Sequence, residues 1–285
     1  MFIIIKFVLI TTLIQFISCE IIESFDNCGQ PYKQVPKDGV SEYGWLAQVW
    51  RLKPDADKLP EKEKYKDNQC MASIISDNWL LGAASCLPLK NSQYAIKMVN
   101  LPEKFYQVDK IVKSPEYNPT LGAGYDLALI KLKSGLQLHY NDEKVRAICL
   151  SDFGTGPEDR SQVKVTTDCL LHNYGPLDEQ VPDKARTLVK DSIHMAEATD
   201  CEKVYHKLFK EPVMFCSNKA IYEGNNGAPI TCPDDNYDGT THFLSAIASW
   251  GRKKAVYPTV KFEVYTKLID GYYITWINNT IHAKN

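Results

Sequence analysis

Ala72-Ser73-Ile74-Ile75-Ser76-Asp77-Asn78-Trp79-Leu80-Leu81-Gly82-Ala83-Ala84-Ser85-Cys86 is the stretch on which the reading of the fold turns. Two apolar runs, 72–75 and 79–81, flank Ser76-Asp77-Asn78, three residues that favour turns. The pattern reads as a β-hairpin. Similar short β-like runs stand at Val108–Val112, Leu127–Leu132, Val163–Val165, Phe243–Ala248 and Val260–Tyr265. Helical periodicity is convincing mainly near Ala196–Lys207 and over Tyr272–His282. Many short strands with few helices make the class all-β, a barrel or a sandwich.

Two segments read as surface loops. Arg51–Asp67 carries eleven charges and two prolines, the composition of a solvated insertion. Ser151–Ser161, with Gly154, Gly156 and Pro157, reads as a linker between two β-rich halves of similar size. No internal repeat stands out.

At the N-terminus, Lys6 interrupts a run of Ile, Phe, Val and Leu that ends at Phe16-Ile17-Ser18-Cys19. It is short for a membrane span and reads as a signal peptide over 1–19, with a retained anchor as the alternative. No later apolar run approaches the ~20 residues of a span, so no membrane partner is expected. The net charge is −2 and no basic block suits a phosphate backbone, so no nucleic acid is expected either. Of nine cysteines, Cys19 leaves with the signal. The remaining even set implies an extracellular disulfide framework, with roughly a hundred pairings open. No Cys-x-x-Cys or Cys/His cluster suggests a metal.

The segment Trp79–Cys86 also resembles a phrase of trypsin-like serine proteases, in which the catalytic histidine immediately precedes the cysteine. Tyr125-Asp126-Leu127-Ala128-Leu129-Ile130-Lys131-Leu132 resembles the strand that carries the triad aspartate. Tyr222-Glu223-Gly224-Asn225-Asn226-Gly227-Ala228-Pro229 resembles the nucleophile loop, usually Gly-Asp-Ser-Gly-Gly-Pro. Ser249-Trp250-Gly251 resembles the substrate-binding strand and Tyr272–Ile277 the closing helix. The match runs from about Cys28 to Ile281 in the family's order. It implies two six-stranded antiparallel β-barrels, about 41–150 and 160–270, within a domain over 41–283. A C-terminal helix over about 272–282 closes the domain, and a segment over 20–40 is tethered by Cys28.

Carried onto this chain, the triad positions hold Ser85, Asp126 and Asn226. Acyl transfer needs a hydroxyl, an imidazole to take its proton and a carboxylate to orient that imidazole. Asn226 offers an amide, and Ser85 is no base at neutral pH. Asp126 alone persists, and its expected role is structural, accepting hydrogen bonds from Ser85, Ser249 or nearby amides. None of the six histidines, His139, His172, His194, His206, His242 and His282, falls in a segment that the resemblance places beside Asp126.

Further departures follow from the same alignment. Asn225 replaces the aspartate that pairs with the new N-terminal amine after activation, beside the oxyanion-hole position Gly224. No proper activation phrase stands between Cys28 and Trp45; Lys33-Gln34-Val35 and Lys37-Asp38-Gly39-Val40 are its nearest approximations. Glu263 stands where a glycine keeps the specificity pocket open, next to Trp250 and Gly251, with the pocket floor near Ala220. A register shift that turns Glu263 outward is the alternative. The cysteine pair that buttresses this pocket is absent from both its places, around Tyr222 and Lys254–Val256. The other cysteines match the pairs Cys28–Cys149, Cys70–Cys86, Cys169–Cys232 and Cys201–Cys216 of the family, each bridge worth roughly 2–4 kcal/mol. Asn278-Asn279-Thr280 is an N-glycosylation sequon, with Asn278 the acceptor.

Cys28-Gly29, Tyr43-Gly44-Trp45 and Cys232-Pro233 resemble arthropod protease homologues, although the chain has no room for the clip module many of them carry. The resemblance implies a non-catalytic homologue with no cofactor and no metal. Such a protein binds an extracellular protein partner (an active protease, a zymogen or an inhibitor) as cofactor, decoy or regulator of a proteolytic cascade. The alternative is an active serine-type endopeptidase with displaced catalytic residues.

Overall fold

In the computed structural model, residues 28–32, 41–119, 124–138, 144–150, 168–174, 188–222, 224–233, 239–251, 262–268 and 271–283 are described. The signal peptide, the activation approximations, the linker, Val163–Val165, Lys254–Val256 and His139 lie outside them.

The hairpin forms as β2 (Tyr65–Ile74) and β3 (Trp79–Gly82), paired antiparallel with Ser73 opposite Leu81. Its turn is held by Asp77, whose carboxylate accepts from the Leu138 amide at 2.8 Å and whose carbonyl accepts from Leu136. Around it come β1 (Leu46–Leu52), β4 (Tyr94–Met98), β5 (Phe105–Lys113) and β6 (Ala128–Leu132). Their order β1-β2-β3-β6-β5-β4 closes into a barrel, which removes the exposed edges a flat sheet would leave. Burial alternates along β1 from Ala47 to Trp50, where Ala47 and Val49 are buried and Gln48 and Trp50 are half-buried; Leu46 before them is buried as well.

The second half holds β7 (Cys149–Leu150), β8 (Leu170–Tyr174), β9 (Leu188–Ser192), β10 (Met214–Ser217), β11 (Pro229–Pro233), β12 (His242–Gly251) and β13 (Glu263–Lys267). Six of them run antiparallel in the order β10-β13-β12-β11-β8-β9, and β7 adds a short parallel pairing to β12. Helix α1 (Ala198–Tyr205) lies beside β10, and α2 (Gly271–Ile281) closes the chain. The fold is therefore mostly β: a closed six-stranded barrel, a second antiparallel sheet and a short C-terminal helix, the double-barrel class.

The insertion is shorter than its charge suggests. Arg51 and Leu52 finish β1, opposite Tyr94 and Tyr65, and Tyr65–Asp67 opens β2. Only 53–64 leave the ladder, with 3-10 turns at Ala56–Lys58 and Glu61–Glu63. Charged side chains on the outer face of a strand stay solvated, so charge density does not end a strand.

Four bridges join Cys28–Cys149, Cys70–Cys86, Cys169–Cys232 and Cys201–Cys216. One buried apolar cluster runs from Leu46, Met71 and Ile96 in the barrel to Ile230, Ile247 and Tyr265 in the second sheet. At its seam the Met71 amide donates to the Asn226 carbonyl at 2.8 Å, which seats the 224–228 loop on β2. Among the described residues no helix is long and apolar enough to cross a membrane.

Candidate active site

Ser85, Asp126 and Asn226 meet at this seam, drawn together by Ser249. Past the end of β3 the chain tightens into a 3-10 turn, Ala84–Cys86, and the bridge from Cys86 to Cys70 pins that turn to β2. Asp126 is buried and precedes β6 after a tight turn in which Tyr125 adopts φ 61° and the Leu127 amide donates to the Tyr125 carbonyl at 2.7 Å. That turn aims the carboxylate at Ser85. Its Oδ1 accepts from the Ser85 amide at 2.7 Å, and its Oδ2 accepts from the Ser85 hydroxyl at 2.7 Å and the Ser249 hydroxyl at 2.6 Å.

Burial pushes the Asp126 carboxyl above its ordinary range; bonds from Ser249, Ser85 and the Ala84 backbone only partly oppose that rise. Ser249 serves both ends of the site, because its carbonyl accepts from the Asn226 side-chain amide at 2.5 Å. Asp126, Ser85 and Asn226 are thus hydrogen-bonded without an imidazole.

The loop around Asn226 is held by its neighbours. Gly224 and Gly227 have φ of 81° and 84°, and a Cβ on Gly227 would stand 2.2 Å from the Met71 carbonyl oxygen. Close approach of two backbones thus requires glycine at 227. Asn225 is fully buried and forms a reciprocal pair with Tyr174: its Oδ1 accepts from the Tyr174 amide at 2.8 Å and its Nδ2 donates to the Tyr174 carbonyl at 2.7 Å. A neutral amide meets its hydrogen-bonding needs here with no charged partner.

In the pocket region, Glu263 stands in β13 between Gly251 of β12 and Ser217 of β10. It is 8% exposed, so its side chain is turned away from solvent. The next residue, Val264, packs into a small cluster with Cys201, Tyr205, Phe209 and Val213. Strand alternation puts Glu263 on the opposite face, the one Tyr265 shares, where Tyr265 stacks on Phe215 at 5.0 Å. Ala220 is half-buried, and its carbonyl accepts from the Asn173 side-chain amide at 2.9 Å. Trp250 meets Tyr205 edge-on at 4.9 Å.

None of the described histidines hydrogen-bonds these residues. His172 and His242 instead share the Thr231 hydroxyl, at 2.8 Å from His172 Nε2 and 3.1 Å from His242 Nδ1. The ring of Tyr43 meets His172 at 4.3 Å and that of Trp45 at 6.2 Å. Burial, helped by the nearby His242 and Lys190 charges, lowers the His172 imidazole to about 3. Residue reading missed this cluster, because β8, β11 and β12 each contribute one member and no local phrase links them. On α2, Asn278 is half-buried, with a buried Oδ1 that has no hydrogen-bond partner among the described residues.

The Trypsin family model matches residues 60–277. Trypsin-4 of Rattus norvegicus is 28% identical over 226 residues, which cover 75% of this chain and 80% of the relative. Kallikrein-8 of Mus musculus is 26% identical over 76% of this chain and 78% of its own length. Anionic trypsin of Canis lupus familiaris is 27% identical over 76% of this chain and 81% of its own.

Proposed function

The chain belongs to the trypsin family, and we propose that it is a secreted member that cuts no peptide bond and works by binding another protein. The observation that carries this is the state of Asp126. Its oxygens are taken by Ser85 and Ser249, and the nucleophile position offers only the Asn226 amide, which already donates to Ser249. With no hydroxyl at 226 and no imidazole at 85, no group at these positions is activated to attack a carbonyl or placed to accept the proton that attack would release. Losing one member of such a unit typically removes several orders of magnitude in rate.

Two features beside the triad support the reading. The Asn225 amide closed on Tyr174 has no charge with which to hold an N-terminal ammonium. The buried Glu263 carboxylate occupies a position that the family keeps open for a substrate side chain.

The four bridges keep the scaffold folded outside the cell, and secretion accounts for both the bridges and the sequon. A glycan on Asn278 belongs to the same reading. The partner is an extracellular protein (an active protease, a zymogen or an inhibitor), and the chain acts on it as cofactor, decoy or regulator of a cascade. Affinity capture from the native extracellular fluid, with bound proteases and inhibitors identified, addresses that part.

The purified protein is expected to show no amidase or esterase activity and no labelling by a fluorophosphonate. Labelling that saturates at one equivalent would overturn the reading. Ser85→His with Asn226→Ser is expected to leave proteolysis unrestored, because Asn225 and Glu263 remain. Misaimed oxyanion donors alone remove about 3 kcal/mol each from transition-state stabilisation. Adding Asn225→Asp and Glu263→Gly with an engineered activation site should recover more than the double variant. Trypsin-like rates from the double variant would reduce the loss to two residues.

A further inference from the structure

The outer face of the first barrel carries a row of lysines that no carboxylate among the described residues neutralises. On β5 and β6, Lys110 stands directly opposite Lys131, an arrangement that destabilises a sheet. Lys133 lies two residues further along the same face. Lys97 on β4 continues the row across Phe105. Among the described residues none of these four ammonium groups is within 4.0 Å of a carboxylate, and the exposed Asp109 beside Lys110 forms no ion pair with any of them.

Three of the four, Lys97, Lys131 and Lys133, are positioned by neutral partners. The Lys131 Nζ stands 5.7 Å from the Trp79 ring centroid, and the Lys133 Nζ donates to Gln107 Oε1 at 3.2 Å. The Lys97 Nζ stands 5.3 Å from the Trp50 ring and 5.5 Å from that of Phe105. Contacts of this kind hold a cation in place without cancelling its charge. The whole chain has a net charge of −2, so the positive charge on this face is segregated rather than a reflection of composition.

We propose that this face binds a sulfated polysaccharide chain, with its sulfates seated on Lys110, Lys131 and Lys133 and its length running along the row towards Lys97. A protein partner of opposite charge would also need a desolvated apolar anchor. The large hydrophobics exposed among the described residues, Val189, Met195 and Leu208, all lie in the second half of the chain. A linear polyanion needs only spaced cations. The proposal is independent of whether the chain cleaves peptides.

Heparin is the probe. The full-length secreted protein is expected to be retained on immobilised heparin at about 0.15 M salt. Lys110→Gln/Lys131→Gln/Lys133→Gln should weaken binding at least about tenfold and lower the slope of log affinity against log salt by about two to three. The same variant should unfold no earlier than the parent, because it relieves a like-charge pair. Removing equal charge from the insertion with Lys53→Gln/Lys58→Gln/Lys64→Gln should leave affinity within about twofold, and desulfated heparin should not compete. Failure of the parent to bind would overturn the proposal. Equal losses in the two triple variants would overturn the site and leave only net charge. Competition by polyglutamate as strong as by heparin would replace the glycan with an acidic protein.

Discussion

Asp126 and His172 are both buried polar side chains beside the seam of the two sheets, yet their surroundings are opposite in kind. Asp126 collects donors: the Ser85 amide and hydroxyl, the Ser249 hydroxyl and the Ala84 backbone. His172 collects rings. Its Nε2 shares Thr231 with His242, while its Nδ1 has no partner among the described residues. Burial favours the neutral form of each, raising Asp126 and lowering His172.

The two groups therefore respond to acid with opposite sign. The folded state takes up the Asp126 proton more readily than the unfolded chain does. That contribution to stability is full below the ordinary carboxylate range and is lost as pH rises through the folded value. The folded state refuses the His172 proton until about pH 3, whereas the unfolded chain accepts it near 6.5. Its contribution is full above 6.5 and drains away as pH falls towards 3.

The sharpest test of the contrast removes the donors' common acceptor. Asp126→Ala leaves the Ser249 hydroxyl and the Ser85 amide without a partner, beside a new void. Denaturant unfolding at neutral pH should show a loss of about 4 kcal/mol. A loss below about 1 kcal/mol would mean that water satisfies those donors and that the site is not closed.

Acid titration probes the other group. Stability should fall from about pH 6.5 downwards, with His172 alone accounting for on the order of 3 kcal/mol by about pH 4. His172→Gln should flatten that limb, and Asp126→Asn should leave it in place. If both variants kept the parent's acid limb, the fall would belong to other groups.

The smallest effect is expected from Ser85→Ala. It deletes the hydroxyl of one exposed residue while the Ser85 amide and Ser249 still bind Asp126. About 1 kcal/mol is the expected loss, measured the same way.

Much of this could be read before any coordinates. The β2–β3 hairpin was legible because its pattern is local: apolar runs on both sides of three turn formers. The donors to Asp126 were legible through the resemblance, which aligned Ser85 and Ser249 with neighbours of a known carboxylate. The ends of the charged insertion were not, since Arg51 and Asp67 look solvated in a loop and on a strand alike. Nor was the His172–Thr231–His242 cluster, whose outer members are 59 and 11 residues from Thr231.

The amino-acid sequence by itself determined which functional groups stand at 85, 126 and 226, because covalent chemistry is independent of packing. It also determined the strand alternation that makes the protein a β fold. Only the tertiary structure decided how those groups are spent: Ser249, 123 residues from Asp126, caps its carboxylate. It also decided that Glu263 turns inward and that Lys110 faces Lys131. Both depend on strand register, including the irregularity between Val108 and Lys110, and a slip of one residue would turn each side chain to the other face. Register is settled by what the rest of the core can bury, and that is a property of the whole chain rather than of any segment.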